Sequence, residues 1–236
     1  MPTLHTERLV LRPWRESDAA TLYEYAKNPN IGPIAGWPPH QSIEESLDVI
    51  RNVFDGPEDY AIALADDPDT AIGAISLKLA GNSDFFPAND TTQAEMGFWI
   101  GEPFWGNGYI PEAARELLRR GFENLGLSAI WCAYYEGNTK SARTQEKIGF
   151  EPIRVTQNVP VPLCSTLNGT SSTTVRMWML PNLRPTYPRS SACRKKSVTA
   201  TVLLTSTTSS AATNMLPAIT LTFGHRCLTA TATKCS

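Results

Sequence analysis

Residues 104–113 read FWGNGYIPEA. Gly106 and Gly108 flank Asn107; an apolar run precedes them and a long amphipathic run follows. Bare backbone at a helix entrance has two uses. It can make a tight strand-to-helix turn, or it can let an anion reach the unpaired N–H groups and the positive end of the helix dipole. The second use suits a phosphorylated ligand. The dinucleotide fingerprint is absent, because G-N-G-Y-I-P lacks the third glycine, and no Gly-Lys-Ser/Thr follows to make a Walker loop. One further apolar stretch along the chain comes YEGNTKSARTQEKIGF, in which Asn138 and Ser141 are spaced for a strand end and the first turn of a short helix. An amide offers both a donor and an acceptor, and a serine hydroxyl either caps or donates.

The elements that must hold these residues follow from pattern. RLVLRPW (8–14) alternates like a half-buried strand. SDAATLYEYAKNPNIG reads as a helix with Ser17 as its N-cap. NIGPIAGWPPHQS is too rich in Gly and Pro to continue it. Ser42 and Glu45 have capping-box spacing ahead of an apolar stripe at Leu47, Ile50 and Phe54. Residues 60–65 and 71–80 read as a hairpin around DDPDT, and 94–101 as the strand before the Gly-x-Gly turn. Pro111 suits a first helical turn, 129–135 is another strand, and Gly149 marks the C′ position of the short helix. EPIRVTQNV and TVRMWML supply the closing strands. The order predicts an α/β or α+β layered domain, a mixed sheet with helices packed on it, with one crossover unit over 94–135.

Composition divides the chain of 236 residues. All 23 acidic residues lie in 1–151 beside 12 Lys and Arg, a net of −11, while 152–236 carry nine Lys and Arg and no acid. The overall charge of −2 argues against nucleic acid or an anionic membrane as partner. Five scattered cysteines without a C-x-x-C pair predict neither a zinc site nor a disulfide framework. No run approaches the roughly 20 apolar residues of a membrane span, and the N-terminus lacks a secretory pattern. A cytoplasmic setting with reduced thiols is expected. Residues 1–183 read as one domain. Residues 184–236 are rich in Ser and Thr and read as a low-complexity, disordered tail. A functional basic tail around 194–196, or a stretch foreign to the domain's own sequence, are the other readings of that end.

Four pieces together resemble the GNAT superfamily of N-acetyltransferases, in the branch of ribosomal-protein N-terminal (alanine) acetyltransferases: TERLVLRPWRESDA, EMGFWIGEPFWGNGYIPEA, GNTKSARTQEKIGF and NVPVPL (158–163). The resemblance spans about residues 3–165. It implies a mixed, mostly antiparallel sheet with a V-shaped splay between two parallel strands, and helices on both faces. It implies acetyl-CoA as cosubstrate, with no metal, and direct transfer of acetyl to a primary amine in a ternary complex. By the same resemblance Phe98, Trp99 and Ile100 present main-chain amides to the acetyl group and pantetheine arm. Trp105, Gly106, Asn107, Gly108, Tyr109 and Ile110 hold the pyrophosphate, and Asn138 and Ser141 contact the pantetheine and thiol end. Trp105 and Ile110 depart from the usual Gln/Arg and Gly/Ala, and Gln145 stands where many members carry the tyrosine that protonates the leaving thiolate, so Ser141 or a water takes that role.

Glu95, at the start of the cleft strand, is the first choice for general base, against the alternative of a solvated strand-end carboxylate. Cys132 reads as a core residue. His40 reads as a surface histidine or as part of the acceptor side. The loops at 31–41, with Trp37, and at 81–92 are candidate acceptor walls. The acceptor is a small-molecule amine or a protein N-terminus, on a monomer or homodimer. Two alternatives stand beside this reading: a non-catalytic acyl-CoA-binding domain of the same fold, and an unrelated nucleotide-phosphate binder that uses only the Gly-x-Gly loop.

Overall fold

The computed structural model describes residues 1–81, 83, 85–160, 172–182, 200–201, 219–224 and 227–232. The chain forms two units, 1–185 and 186–236. In the first, the elements run β1 (Leu4–His5), β2 (Leu9–Pro13), α1 (Ala19–Ala26), α2 (Gly32–Ala35), α3 (Ile43–Asn52), β3 (Asp59–Leu64), β4 (Asp67–Lys78), β5 (Gln93–Ile100), α4 (Tyr109–Arg119), β6 (Ala129–Tyr135), α5 (Thr139–Lys147), β7 (Glu151–Pro160) and β8 (Ser172–Pro181). One sheet holds all eight strands in the order β1-β2-β3-β4-β5-β6-β8-β7. Every neighbouring pair is antiparallel except β5 and β6, which are parallel and joined through α4. In the second unit β9 (Ala200–Thr201), β10 (Ile219–Gly224) and β11 (Cys227–Ala232) pair antiparallel. The expectation of a disordered end at 184–236 otherwise falls on residues outside the described set.

Side chains alternate across the sheet, so each strand feeds two layers. Leu9, Leu11, Ile62, Ile75, Met96 and Ile130 meet Ala113, Ala114, Leu117 and Leu118 of α4 in the larger cluster. Trp99 turns the other way, to the cluster of Ala19, Leu22, Ala26 and Ile50 from α1 and α3. Helices therefore cover both faces. A buried ion pair fixes α1 to the sheet. The Arg12 guanidinium donates to both oxygens of Asp18 at 2.8 Å and also to the Pro68 and Asp69 carbonyls. Its donors are satisfied within the fold, and removing one partner would cost about 3–5 kcal/mol.

That pair also corrects the N-cap assignment. Ser17 lies inside a 3-10 turn at Glu16–Asp18, and the Asp18 carboxylate takes the Arg15 N–H. Residues 31–41 also differ from expectation. They contain one helical turn, α2, closed by Gly36 at φ +92°. A side chain at Gly36 would collide with the Tyr135 ring, which lies against it. The N-cap of α3 is as expected: Ser42 Oγ accepts the Glu45 N–H, while the Glu45 carboxylate reaches the Gln41 N–H rather than that of Ser42. After Arg119 the helix continues as one wider π turn through Asn124. There Arg120 grips the buried Glu58, which also takes the Tyr60 hydroxyl. Of the NVPVPL segment, Asn158–Pro160 belong to β7 rather than to a loop, and 161–163 lie outside the described residues.

Candidate functional site

The two parallel strands stay together for only four residues. Gln93–Met96 pair with Ala129–Cys132, and no later residue of β5 pairs with β6. Each strand instead keeps its outer partner: β5 follows β4 as far as Ile100, and β6 follows β8 as far as Tyr135. The sheet thus splits between them. Gly101 donates its N–H to Ile72 of β4. Alternation along a strand then turns the peptide groups of Trp99 toward β4 as well, and those of Phe98 and Ile100 toward the gap. The Ile100 carbonyl takes the Trp105 indole N–H at 3.0 Å, which leaves the Phe98 and Ile100 N–H groups facing the opening.

Beyond the gap the chain turns into α4. Gly106 and Gly108 have φ of +82° and +77°, a region most side chains avoid. A Cβ on Gly106 would meet no atom within 4 Å, and one on Gly108 only the Arg8 guanidinium at 3.8 Å. The glycines answer to backbone conformation and to open space rather than to packing. Gly108 is the N-cap and supplies no side-chain bond. The first-turn N–H groups have no intrahelical acceptor, and Pro111 removes one of them. The acidic residue of the first turn, Glu112, is turned to the N-terminal hairpin, where it accepts from the Thr6 hydroxyl and from the N–H and guanidinium of Arg8. Burial would raise the Glu112 carboxyl, but these hydrogen bonds outweigh it and hold the group below its ordinary value. Arg8 also donates to the Asn107 carbonyl and lies 4.7 Å over the Tyr109 ring. Ile110 puts its side chain in the core, so its β-branched bulk does not stand in the turn.

The opposite wall is α5. Asn138 is its N-cap: Oδ1 accepts the Ser141 N–H at 3.1 Å and Nδ2 donates to the Ile34 carbonyl of α2. Lys140, Arg143 and Lys147 border the same space, with the Lys140 ammonium 3.1 Å from the Trp105 ring centroid. Among the described residues neither Arg143 nor Lys147 pairs with a carboxylate. Together these walls, with Ile31 and Ile34 from the α2 segment, bound a cleft of about 950 Å³. Phe98 to Ile100, Trp105, Gly106, Gly108 to Ile110, Asn138 and Ser141 all line it. Asn107 and Glu95 do not.

Glu95 lies on β5 between Lys78 and Trp131, 3.5 Å from the Lys78 ammonium. Cys132 is buried, and burial pushes its thiol well above the ordinary range, which makes it a poor nucleophile. His40 is buried as well, which corrects the surface assignment. Its Nδ1 lies 2.8 Å from the Ser46 hydroxyl, its ring meets Trp37, and burial lowers its pKa. Trp37 covers the second core and meets Trp99 edge-on. No described residue of 81–92 lines the cleft.

Sequence reasoning missed Arg8 and the basic row on α5. The spacing of Lys140, Arg143 and Lys147, three and four apart, was visible on the chain. The approach of Arg8 to a turn about a hundred residues away was not.

The profile of the acetyltransferase (GNAT) domain matches residues 8–151. The chain belongs to the GNAT acetyltransferase family. An uncharacterized N-acetyltransferase of Bacillus licheniformis, p20, is 26% identical over 155 residues, covering 64% of this chain and 83% of the relative. Among solved structures, the ribosomal-protein-S5-alanine acetyltransferase of Vibrio fischeri superposes with a TM-score of 0.57 at 17% identity, over 78% of this chain and 98% of that one. The microcin C7 self-immunity acetyltransferase MccE, solved with acetyl-CoA and AMP, gives a TM-score of 0.58 at 22% identity, over 75% and 94%. At these identities the structural likeness is one of fold. The GNAT domain described here is accordingly an acyltransferase.

Proposed function

We propose that this GNAT domain moves an acetyl group from acetyl-CoA to a primary amine by direct attack in a ternary complex. The observation that carries the reading is the split between β5 and β6, which opens the Phe98 and Ile100 N–H groups onto a cleft that continues to the uncapped start of α4. The residues fit such a cosubstrate. The backbone is bare at Gly106 and Gly108 where a diphosphate would lie, and a Cβ on Gly106 would enter empty space. Lys140, Arg143 and Lys147 add positive charge along the same cleft. A relative named as an acetyl-CoA transacetylase, from Aspergillus fumigatus, 26% identical over 132 residues, supports the same cosubstrate. When bound, acetyl-CoA supplies an acyl carbon already activated as a thioester.

The chain's own groups do the rest. The N–H groups of Phe98 and Ile100 hydrogen-bond the acyl oxygen and the pantetheine arm, and stabilise the charge that develops on that oxygen. The N–H groups of 106–110 hold phosphate oxygens at the dipole end of α4. Glu95, on β5 but outside the lining of the cleft, takes the proton of the attacking amine through water. Ser141 donates a hydrogen bond to the departing sulfur. Holding the amine against the thioester supplies much of the remaining acceleration. The acceptor is a small-molecule amine or a protein N-terminus; the fold likeness to an enzyme named for alanine acetylation of a ribosomal protein favours the second.

An acceptor screen with acetyl-CoA and thiol detection tests the reading, on the full chain and on residues 1–183. Thiol release that depends on an amine supports it. Tight acetyl-CoA binding with no release for any amine supports the alternative, a domain that binds the thioester without transferring from it. A rise in Tm with ATP and NAD equal to that with acetyl-CoA would overturn both.

A further inference from the structure

We propose that Gln145 is a positioning residue that sets the Ser141 hydroxyl to donate into the cleft, toward the sulfur of the breaking thioester. This rests on the reading of the cleft given above and adds a role for a residue that lies behind its wall. Gln145 stands one turn after Ser141 on α5 and is wholly buried. Its Nε2 lies 3.2 Å from the Ala133 carbonyl and 3.1 Å from Ser141 Oγ. The Ala133 carbonyl can only accept, so it fixes which end of the amide faces β6. One amide hydrogen goes to that carbonyl, and the other goes to the serine oxygen. Ser141 Oγ is therefore an acceptor on its buried side, and its own hydrogen must point elsewhere. Among the described residues that hydroxyl donates to no group of the chain, and Ser141 lines the cleft.

Two further observations separate this from packing. Gln145 Oε1 is buried with no partner. An apolar side chain of similar size would fill the space without that unpaired carbonyl, so what the amide adds is its two N–H bonds. Ala133 is also the first residue of β6 beyond its last pairing with β5. The amide thus ties the serine-bearing turn to the point where the sheet opens. In the transfer step the amine nitrogen bonds to the acyl carbon, the C–S bond breaks, and its electron pair goes to sulfur. The proton lost by the amine balances the one gained by the thiolate, and Ser141 stabilises the charge on sulfur between the two events.

A double-mutant cycle tests the assignment. Turnover is followed by thiol release from acetyl-CoA, with a peptide bearing a free N-terminal alanine and with spermidine as amine probes. Gln145→Leu should lower kcat by about tenfold while the KM for acetyl-CoA moves less than about twofold. In a Ser141→Ala background the same change should have no further effect on kcat. Gln145→Glu keeps the volume but reverses the bond once ionised, because a carboxylate accepts the serine's hydrogen. Its kcat relative to wild type should therefore fall as pH rises, and this arm decides the matter if the leucine variant does not fold. Equal losses from Gln145→Leu with and without Ser141, or a Gln145→Glu ratio independent of pH, would overturn the assignment and leave the transfer reading intact. No thiol release by the wild-type chain with either amine would overturn both.

Discussion

The two helices that border the cleft begin in opposite ways. At the start of α5, Asn138 closes the entrance: its side chain takes the Ser141 N–H and fastens the turn to α2. At the start of α4 the cap is a glycine with no side chain, and the one acidic group in the first turn is held away by Thr6 and Arg8. A capped entrance spends its donors on its own chain and so holds side chains such as Ser141 in place. An uncapped entrance keeps its donors for an anion, and its stability has to come from elsewhere. Here it comes from the apolar face of α4, where Ala113, Ala114 and Leu117 are fully buried, and from the Arg8–Glu112 contact.

The contrast is sharpest at Gly108. Asparagine tolerates positive φ better than other side chains, so Gly108→Asn narrows the entrance with little backbone strain. It should weaken acetyl-CoA binding about thirtyfold, ~2 kcal/mol, by calorimetry, with a loss of no more than ~1 kcal/mol in denaturant unfolding. Equal damage to both would mean that the two entrances do the same structural work. Asn138→Ala should show the reverse pattern: about 1 kcal/mol of stability lost with the cap, and acetyl-CoA affinity within about threefold. Arg143→Ala touches neither entrance. It should weaken acetyl-CoA about threefold at low salt, with the difference shrinking as ionic strength rises. An effect that salt leaves unchanged would remove this residue from the electrostatics of the cleft.

The smallest effect lies farthest from the comparison, at His40. Burial depresses its folded pKa. The stability it contributes is therefore fully present above the unfolded value of about 6.5, and it is lost as pH falls toward the lower folded value. Between about pH 7.5 and about 5.5 the Tm of wild type should fall more steeply than that of His40→Gln. Parallel slopes would mean that the histidine is solvated in both states.

Most of the strands were legible because their signal is local. β6 falls on the run 129–135 expected of a strand, and Gly149 at φ +92° marks the end of α5 as expected. What escaped depends on groups distant in sequence. Asp18 displaced Ser17 because a guanidinium from β2 and carbonyls from the first residues of β4 meet at the start of α1. His40 is buried because α2 folds the 31–41 segment back and the His40 N–H bonds the Ala26 carbonyl. The cleft residues of 98–110 and 138–141 came from the family resemblance, whose motifs are short and local. Their neighbour Gln145 was noticed only for what it replaces, since nothing in the chain order says that its amide reaches Ala133.

The split between β5 and β6 gives one more handle on this molecule. A central strand normally shields its amides from solvent on both edges. Phe98 and Ile100 sit in a central strand, yet have no neighbour on one side. In heavy water their hydrogens should be replaced at the pace of a surface loop, while Met96, two residues earlier on the same strand, stays protected. Filling the gap with a thioester should slow both, so two backbone positions would report occupancy of the cleft without any label or turnover.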